Sequence, residues 1–256
     1  MRRQWLLQIG VGFAAVSCGS SASAALSGTE VMTRAEQREV GKDETSQITM
    51  KVTARGQQRV KKMRLLRQGK ASTKKVLIHF LSPADERGVG FLVWRHKDRD
   101  DDRWFYLPAL KMVRRIAAAD KRSSFVGSDF TYEDVAGRDA DRDTHTLTGE
   151  KTVDGQPCYV VKSVPKDRAE FASKTAWVRK DSFVIVQEKY YDKQGKLLKT
   201  YTADKLEKVQ GLWTIRQQTM KNAATGGQTV VTWNSVKYNT GLGEDVFTER
   251  YLKRSP

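Results

Sequence analysis

Two cysteines, three histidines and no apolar run long enough to span a bilayer set the first limits on this 256-residue chain. Cys18 lies in an amino-terminal segment that reads as cleaved, which leaves Cys158 without a partner and excludes an internal disulfide. The setting Pro157-Cys158-Tyr159-Val160-Val161 reads as a buried strand. Cys158 is therefore expected as a small buried hydrophobe, since a reactive thiol needs an exposed, electropositive niche. His79, His96 and His145 show no metal-ligand spacing with one another or with cysteine. The chain carries no glycine-rich phosphate loop and no G-x-S-x-G nucleophile elbow. No cofactor, metal or catalytic residue is implied, and the chain reads as a non-enzyme. A carboxylate pair can stand at any spacing, so an undetected hydrolase is a third reading. Asp139, Asp141, Asp143 and Glu150 fall at positions 1, 3, 5 and 12 of a calcium-loop register. Thr144 stands where that loop needs glycine, so the stretch reads as a solvated acidic loop.

The amino terminus sets the compartment. Arg2 and Arg3 precede a mostly apolar stretch, Trp5 to Val16, and then the small, polar stretch Ser17 to Ala24, which ends in Ala22-Ser23-Ala24. Positive, apolar and small-residue regions in that order make a secretory signal peptide. The apolar part is shorter than the ~20 residues of a permanent span. Residues 1–24 are thus expected to be removed, leaving residues 25–256 as one β-rich domain in the periplasm. The arginine pair leaves Sec and twin-arginine export both open. Ala15-Val16-Ser17-Cys18 offers a less favoured alternative, lipidation at Cys18. The formal charge of +16 falls to +14 when Arg2 and Arg3 are lost. That excess suits an anionic partner. Export disfavours nucleic acid and favours lipid head groups or an acidic protein.

Ser27-Gly28-Thr29-Glu30 forms a capping box, so a helix is expected from about Gly28 to Val40. Beyond it the period changes to two. Ile48, Met50 and Val52 alternate with Thr49, Lys51 and Thr53, the pattern of a half-buried strand. Turn signals such as Asp154-Gly155 and Asp192-Lys193-Gln194-Gly195 separate further runs as far as Gln228 to Tyr238. About ten or eleven strands are expected, in one antiparallel sheet that is strongly curved or nearly closed. Trp104 to Leu107 reads as a short aromatic strand, but Asp98 to Lys121 otherwise breaks the pattern, and Phe125 to Val135 is also irregular. Loops of that length in a compact domain usually cover something or carry function.

Several stretches point to a family. They are Phe80-Leu81-Ser82-Pro83-Ala84-Asp85-Glu86-Arg87-Gly88, Trp104-Phe105-Tyr106-Leu107-Pro108-Ala109-Leu110, Val113-Arg114-Arg115-Ile116, Gly127-Ser128-Asp129-Phe130-Thr131-Tyr132-Glu133-Asp134 and Phe247-Thr248-Glu249-Arg250-Tyr251-Leu252. In order from about residue 26 to 252, they resemble the exported outer-membrane lipoprotein-sorting proteins of the LolA-like branch. The resemblance implies an unclosed antiparallel half-barrel whose concave face is covered by a few helices. It also implies carriage of lipid or lipoprotein acyl chains toward the outer membrane, with transient contact to a membrane surface or envelope transporter. The chain is longer than LolA proper around Asp98 to Asp141, and the resemblance leaves lipoprotein, free lipid and hopanoid-like cargo open. The alternative is a non-enzymatic accessory or structural subunit docked on an envelope transporter.

Aromatic residues on strands and irregular loops supply the candidate site. Phe125, Phe130 and Tyr132 are expected to face the hollow from a lid, with Gly127 giving the lid flexibility. Phe91 and Trp177 are expected to line the cavity, and Arg114 and Arg115 to sit at its mouth near an anionic head group. The competing reading is a static loop pinned to the core by its aromatics.

Overall fold

The structure is a computed structural model that describes residues 25–254. The signal-peptide reading, with Cys18, lies outside the described residues.

Helix α1 (Gly28–Gln37) starts with the expected reciprocal cap: Glu30 N donates to Ser27 Oγ at 3.2 Å, and Ser27 N donates to Glu30 Oε2 at 2.7 Å. It stops three residues short of Val40, because Arg38 turns to extended geometry and donates to the Trp213 carbonyl at 3.0 Å. Gly41, at φ +72°, then turns the chain toward the sheet. The apolar face of α1, Val31, Met32 and Ala35, packs on Val161, Ala176 and Val178.

Thirteen antiparallel strands follow. They are β1 (Asp43–Ala54), β2 (Gln57–Gln68), β3 (Lys75–Ser82), β4 (Gly90–Trp94), β5 (Asp102–Leu107), β6 (Met112–Arg115), β7 (Asp143–Val153), β8 (Gln156–Pro165), β9 (Ser173–Arg179), β10 (Ile185–Tyr191), β11 (Leu197–Val209), β12 (Leu212–Asn222) and β13 (Gln228–Tyr238). They form one sheet in the order β6-β5-β4-β3-β2-β1-β13-β12-β11-β10-β9-β8-β7. β6 and β7 end the order and do not pair with each other, so the sheet stays unclosed, as the resemblance implies.

The count exceeds the expected one, and the Asp98–Lys121 region is largely regular. β5 and β6 form a hairpin there, pairing Trp104 with Arg115 and Phe105 with Arg114. Met112-Val113-Arg114-Arg115 escapes the period-two reading because it is an exposed edge strand. Basic side chains there discourage pairing with another chain instead of filling a core.

Register assigns each residue to a face. Ile48 lies beside Met63 and Trp233, Met63 beside Phe80, Ile78 beside Phe91, and Phe91 beside Phe105. In the other direction Val231 lies beside Gln218, Met220 beside Tyr201, Tyr201 beside Glu188, and Glu188 beside Ala176. This inner face is apolar over β1–β4, polar over β10–β11 and apolar again under α1.

The opposite face of β2–β4 is covered by the C-terminal segment. Leu66, Leu77 and Leu92 pack there against Phe247 and against Leu252 of α3 (Glu249–Leu252). His79 Nε2 lies 3.0 Å from the Leu252 carbonyl, and Trp94 Nε1 donates to the Phe247 carbonyl at 2.8 Å. A Cβ at position 90 would stand 2.6 Å from Leu252 Cδ1, so Gly90 makes the docking sterically possible. Among the described residues, no helix is long and apolar enough to cross a membrane.

Candidate functional site

The inner face is not completely filled. Residues 116–136 cross it as a roof that ends in the short helix α2 (Tyr132–Ala136). Thr131 and Asp134 form the cap of α2: Asp134 N donates to Thr131 Oγ1 at 3.1 Å, and Thr131 N donates to Asp134 Oδ2 at 2.8 Å. Three polar ties hold the roof to three strands. Lys61 of β2 donates to the Val126 carbonyl at 2.6 Å, Thr229 of β13 to Asp129 Oδ2 at 2.7 Å, and Lys199 of β11 to Asp134 Oδ2 at 2.7 Å.

Between roof and sheet lies a cavity of about 370 Å³, near the lower bound of the ~300–1,000 Å³ of small-molecule sites. Its apolar wall comes from Met50, Leu65, Ile78 and Trp233, with Phe130 and Val135 from the roof. Charged residues gather at one end: Glu36, Arg38, Glu44, Arg67, Lys70 and Lys74. Arg67 is satisfied there by Glu44 at 3.2 Å and by the carbonyls of Gly69 at 2.6 Å and Val40. Burial, with Arg95 and Arg67 nearby, pushes the Lys74 ammonium down to about 7. Burial, opposed by the Ala140 amide and reinforced by Asp139, raises the Glu36 carboxyl.

A second space of about 350 Å³ adjoins the first and is lined by Val184, Glu188, Tyr190, Tyr201 and Met220. Arg38, Phe130, Asp134, Ile215 and Gln218 border both. The polar groups of the second space are paired. Lys174 donates to Glu188 at 2.8 Å, Tyr190 Oη to Glu188 at 2.6 Å, and Lys199 to Glu170 at 2.6 Å. Buried ions persist only when paired and hydrogen-bonded in this way.

The structure brings together four of the five aromatic residues expected at the site. Phe91, Phe125 and Tyr132 form a triangle with ring centroids 5.3–5.5 Å apart, and Phe80 joins at 6.3 Å from Phe125. Phe125 is only 1% exposed, so this group packs the roof onto the core. Phe125 also borders the first space, as expected, whereas Phe130 borders both. Trp177 stands apart. Its neighbours Ala176 and Val178 face α1, and strand alternation therefore turns Trp177 to the outer face, where Lys189 lies over its ring. Arg114 and Arg115 separate for the same reason. Arg114 lies opposite Phe105 on the inner face, while Arg115 lies opposite Trp104 on the outer face and pairs with Asp102. The pair cannot flank one mouth together. Gly127 has φ +73° with open space around it, yet Val126 before it is tied to Lys61.

The remaining sequence candidates have structural partners. Asp139 and Asp143 pair with Arg95 and Arg138, and Glu150 with Lys180. His145 lies between Ser163 Oγ and the Ala140 carbonyl, at 2.8 and 2.7 Å. The cationic end built by Arg38, Arg67 and Lys74 was not identified from the sequence. They stand among many other basic residues, and only the pairing of β2 with β3 and the docking of the end of α1 join them.

The model of a family described as uncharacterized matches residues 72–254. A crystal structure of a DUF1329 family protein from Desulfovibrio piger is 32% identical, covering 88% of this chain and 97% of its own, with a TM-score of 0.83. A putative outer membrane lipoprotein-sorting protein domain from Vibrio parahaemolyticus is 29% identical, covering 89% and 98%, with a TM-score of 0.84. A LolA superfamily protein from Nitrosomonas europaea shares the fold at 19% identity, covering 89% and 100%, with a TM-score of 0.69. No curated protein matches the chain.

Proposed function

The chain belongs to the DUF1329 family and has a LolA-like fold, and from that premise we propose that it is a periplasmic carrier of lipid or lipoprotein acyl chains. The observation that carries this reading is the hollow itself. Leu65, Ile215, Trp233 and Val135 keep apolar surface turned toward a space that the protein leaves unfilled. Apolar wall of this kind suits an acyl chain, because each CH₂ withdrawn from water contributes about 0.8 kcal/mol. The lipoprotein-sorting relative from Vibrio parahaemolyticus supports the same class of cargo. Signal-peptide cleavage after Ala24 would deliver residues 25–256 to the compartment where such a carrier works.

Loading requires a membrane, and the β5–β6 hairpin suits that contact. Leu110 is 65% and Met112 45% exposed at its tip. Lys111 and Arg114 stand beside them on the same hairpin, so apolar insertion and attraction to anionic head groups act on one element. An accessory role on an envelope transporter would need a filled inner face. The Phe80–Phe91–Phe125–Tyr132 cluster fills one part, but the space between Met50 and Trp233 stays free.

Native mass spectrometry of protein purified from its own periplasm tests the proposal. Co-purifying lipid, together with transfer between liposomes, is the expected result. Repeated absence of both would overturn it.

A further inference from the structure

Positive charge is left over at one end of the hollow. Lys74 lies between the short turn at 71–73 and β3, and it lines the cavity. Its Nζ and Arg95 Nη1 converge on Gly137, where a Cβ would stand 3.4 Å from one and 3.2 Å from the other. Gly137, at φ +96°, thus leaves room for two cations side by side. Arg95 has its own partners, Asp139 and the Ala71 carbonyl at 3.0 Å. Arg67 of β2 is held by Glu44 of β1 and backbone carbonyls. Asp101, before β5, pairs with Arg103 at 2.6 Å. Glu44 and Asp101 are the carboxylates that act most on Lys74, and both are engaged elsewhere, while Glu36 at the same end accepts from the Ala140 amide at 3.1 Å. Among the described residues Lys74 has no ion-pair partner. Arg38, on the other flank of Arg67, has a carbonyl and no carboxylate.

A half-buried ammonium with two guanidinium neighbours and no counter-ion is unfavourable in the empty protein. An anion brought by a ligand relieves that cost. The apolar wall begins beside this end, with Val76 two residues beyond Lys74 and Leu65 two before Arg67. We infer that the hollow takes an amphiphile with a single anionic head, its acyl chain along Leu65, Ile78 and Trp233 and its head against Lys74. This rests on the carrier reading and narrows it. An acyl chain joined to a protein through an uncharged ester or amide would leave Lys74 unpaired.

Displacement of a fluorescent acyl probe from the full processed chain tests the inference. Three competitors of equal chain length are used: hexadecanoate, hexadecyl phosphate and hexadecanol. At pH 6 at least one of the anions is expected to bind ~10-fold or more tightly than the alcohol, as charge-assisted contacts require. The preference is expected to shrink toward pH 9, as Lys74 loses its proton. Lys74→Met is expected to abolish it, and Arg38→Gln to reduce it less. Preference for hexadecyl phosphate alone points to a phospholipid-type head; preference for both anions shows that a carboxylate suffices. Equal binding of all three by the unmodified protein at pH 6 overturns the inference and leaves the carrier standing. If none binds, the carrier reading itself fails. Should Lys74→Met not fold, the head-group and pH comparisons on the unmodified chain still decide.

Discussion

Arg114 and Arg115 are neighbours in β6 that serve opposite faces of the sheet, one beside Phe105 on the inner face and the other paired with Asp102 on the outer face. Substitutions at the two sites should therefore separate. Arg114→Ala is expected to weaken binding to anionic vesicles and flatten its salt dependence without moving the urea midpoint. Arg115→Ala should cost less than about 1 kcal/mol of stability, because its side chain is largely exposed. Equal loss of vesicle binding in both variants, with no stability difference, would contradict this division.

Asp102 should make the fold acid-sensitive. Hydrogen bonding from Arg99, then from His96, with Arg115 also near, holds its carboxyl at about 2 despite burial. A folded pKa below the unfolded value of ~3.9 contributes stability that is present above the unfolded value and lost as pH falls through the folded one. Asp102→Asn is expected to cost about 1–2 kcal/mol at pH 7, after discounting for the exposure of Arg99 and Arg115. The gap between variant and parent should close between about pH 4 and pH 2 in denaturant titrations.

Phe125 and Phe130 lie five residues apart in the roof and should fail differently. Phe125→Ala leaves a cavity among Phe80, Phe91 and Tyr132 and is expected to cost about 3–5 kcal/mol. Phe130→Ala removes the partition between the two spaces and should alter the size and affinity of bound acyl probes more than the melting temperature. Normal probe binding by a destabilised Phe130→Ala protein would show that Phe130 is only packing.

Lys74 should weaken the unliganded fold, and stability should again rise with pH, but in a window near neutrality and above rather than in acid. Its folded pKa of about 7 lies below the unfolded ~10.4, so the unfolded chain holds more protons between these values, and stability rises with pH there. Lys74→Met is expected to stabilise the protein by about 1–3 kcal/mol below pH 7, with the gain shrinking toward pH 10. Thermal melts at both ends of that range check the sign.

Cys158 is fully buried on β8, and burial raises its thiol. A thiol reagent at neutral pH should label it only after denaturant is added. Rapid labelling of the native protein would mean that this end of the sheet opens locally.

The sequence made the sheet legible where alternation is strong, as at Ile48, Met50 and Val52, and made α1 legible through Ser27 and Glu30. β6 stayed hidden because an edge strand of Met, Val and two arginines shows no buried face. Face assignments needed the exact strand phase. Trp177 went to the outer face and Arg115 to the far side of Arg114, since a shift of one residue exchanges the two faces. The cationic end of the hollow was illegible for a different reason. Arg67 and Lys74 meet because β2 and β3 align there, Arg38 joins from the end of α1, and nothing local distinguishes them from the chain's other basic residues.

The unpaired ends of the sheet bear on how much this protein can hold. In a closed barrel, bore is set by strand number and stagger, and widening it means breaking ladder hydrogen bonds. Here β6 and β7 each pair on one side only and not with each other, so no such arithmetic fixes the girth. Splaying the two margins apart changes the twist between neighbouring strands and leaves every inter-strand bond in place. On the carrier reading, capacity in this architecture is expected to be elastic, so that chains of different thickness share one seat without a new set of contacts for each.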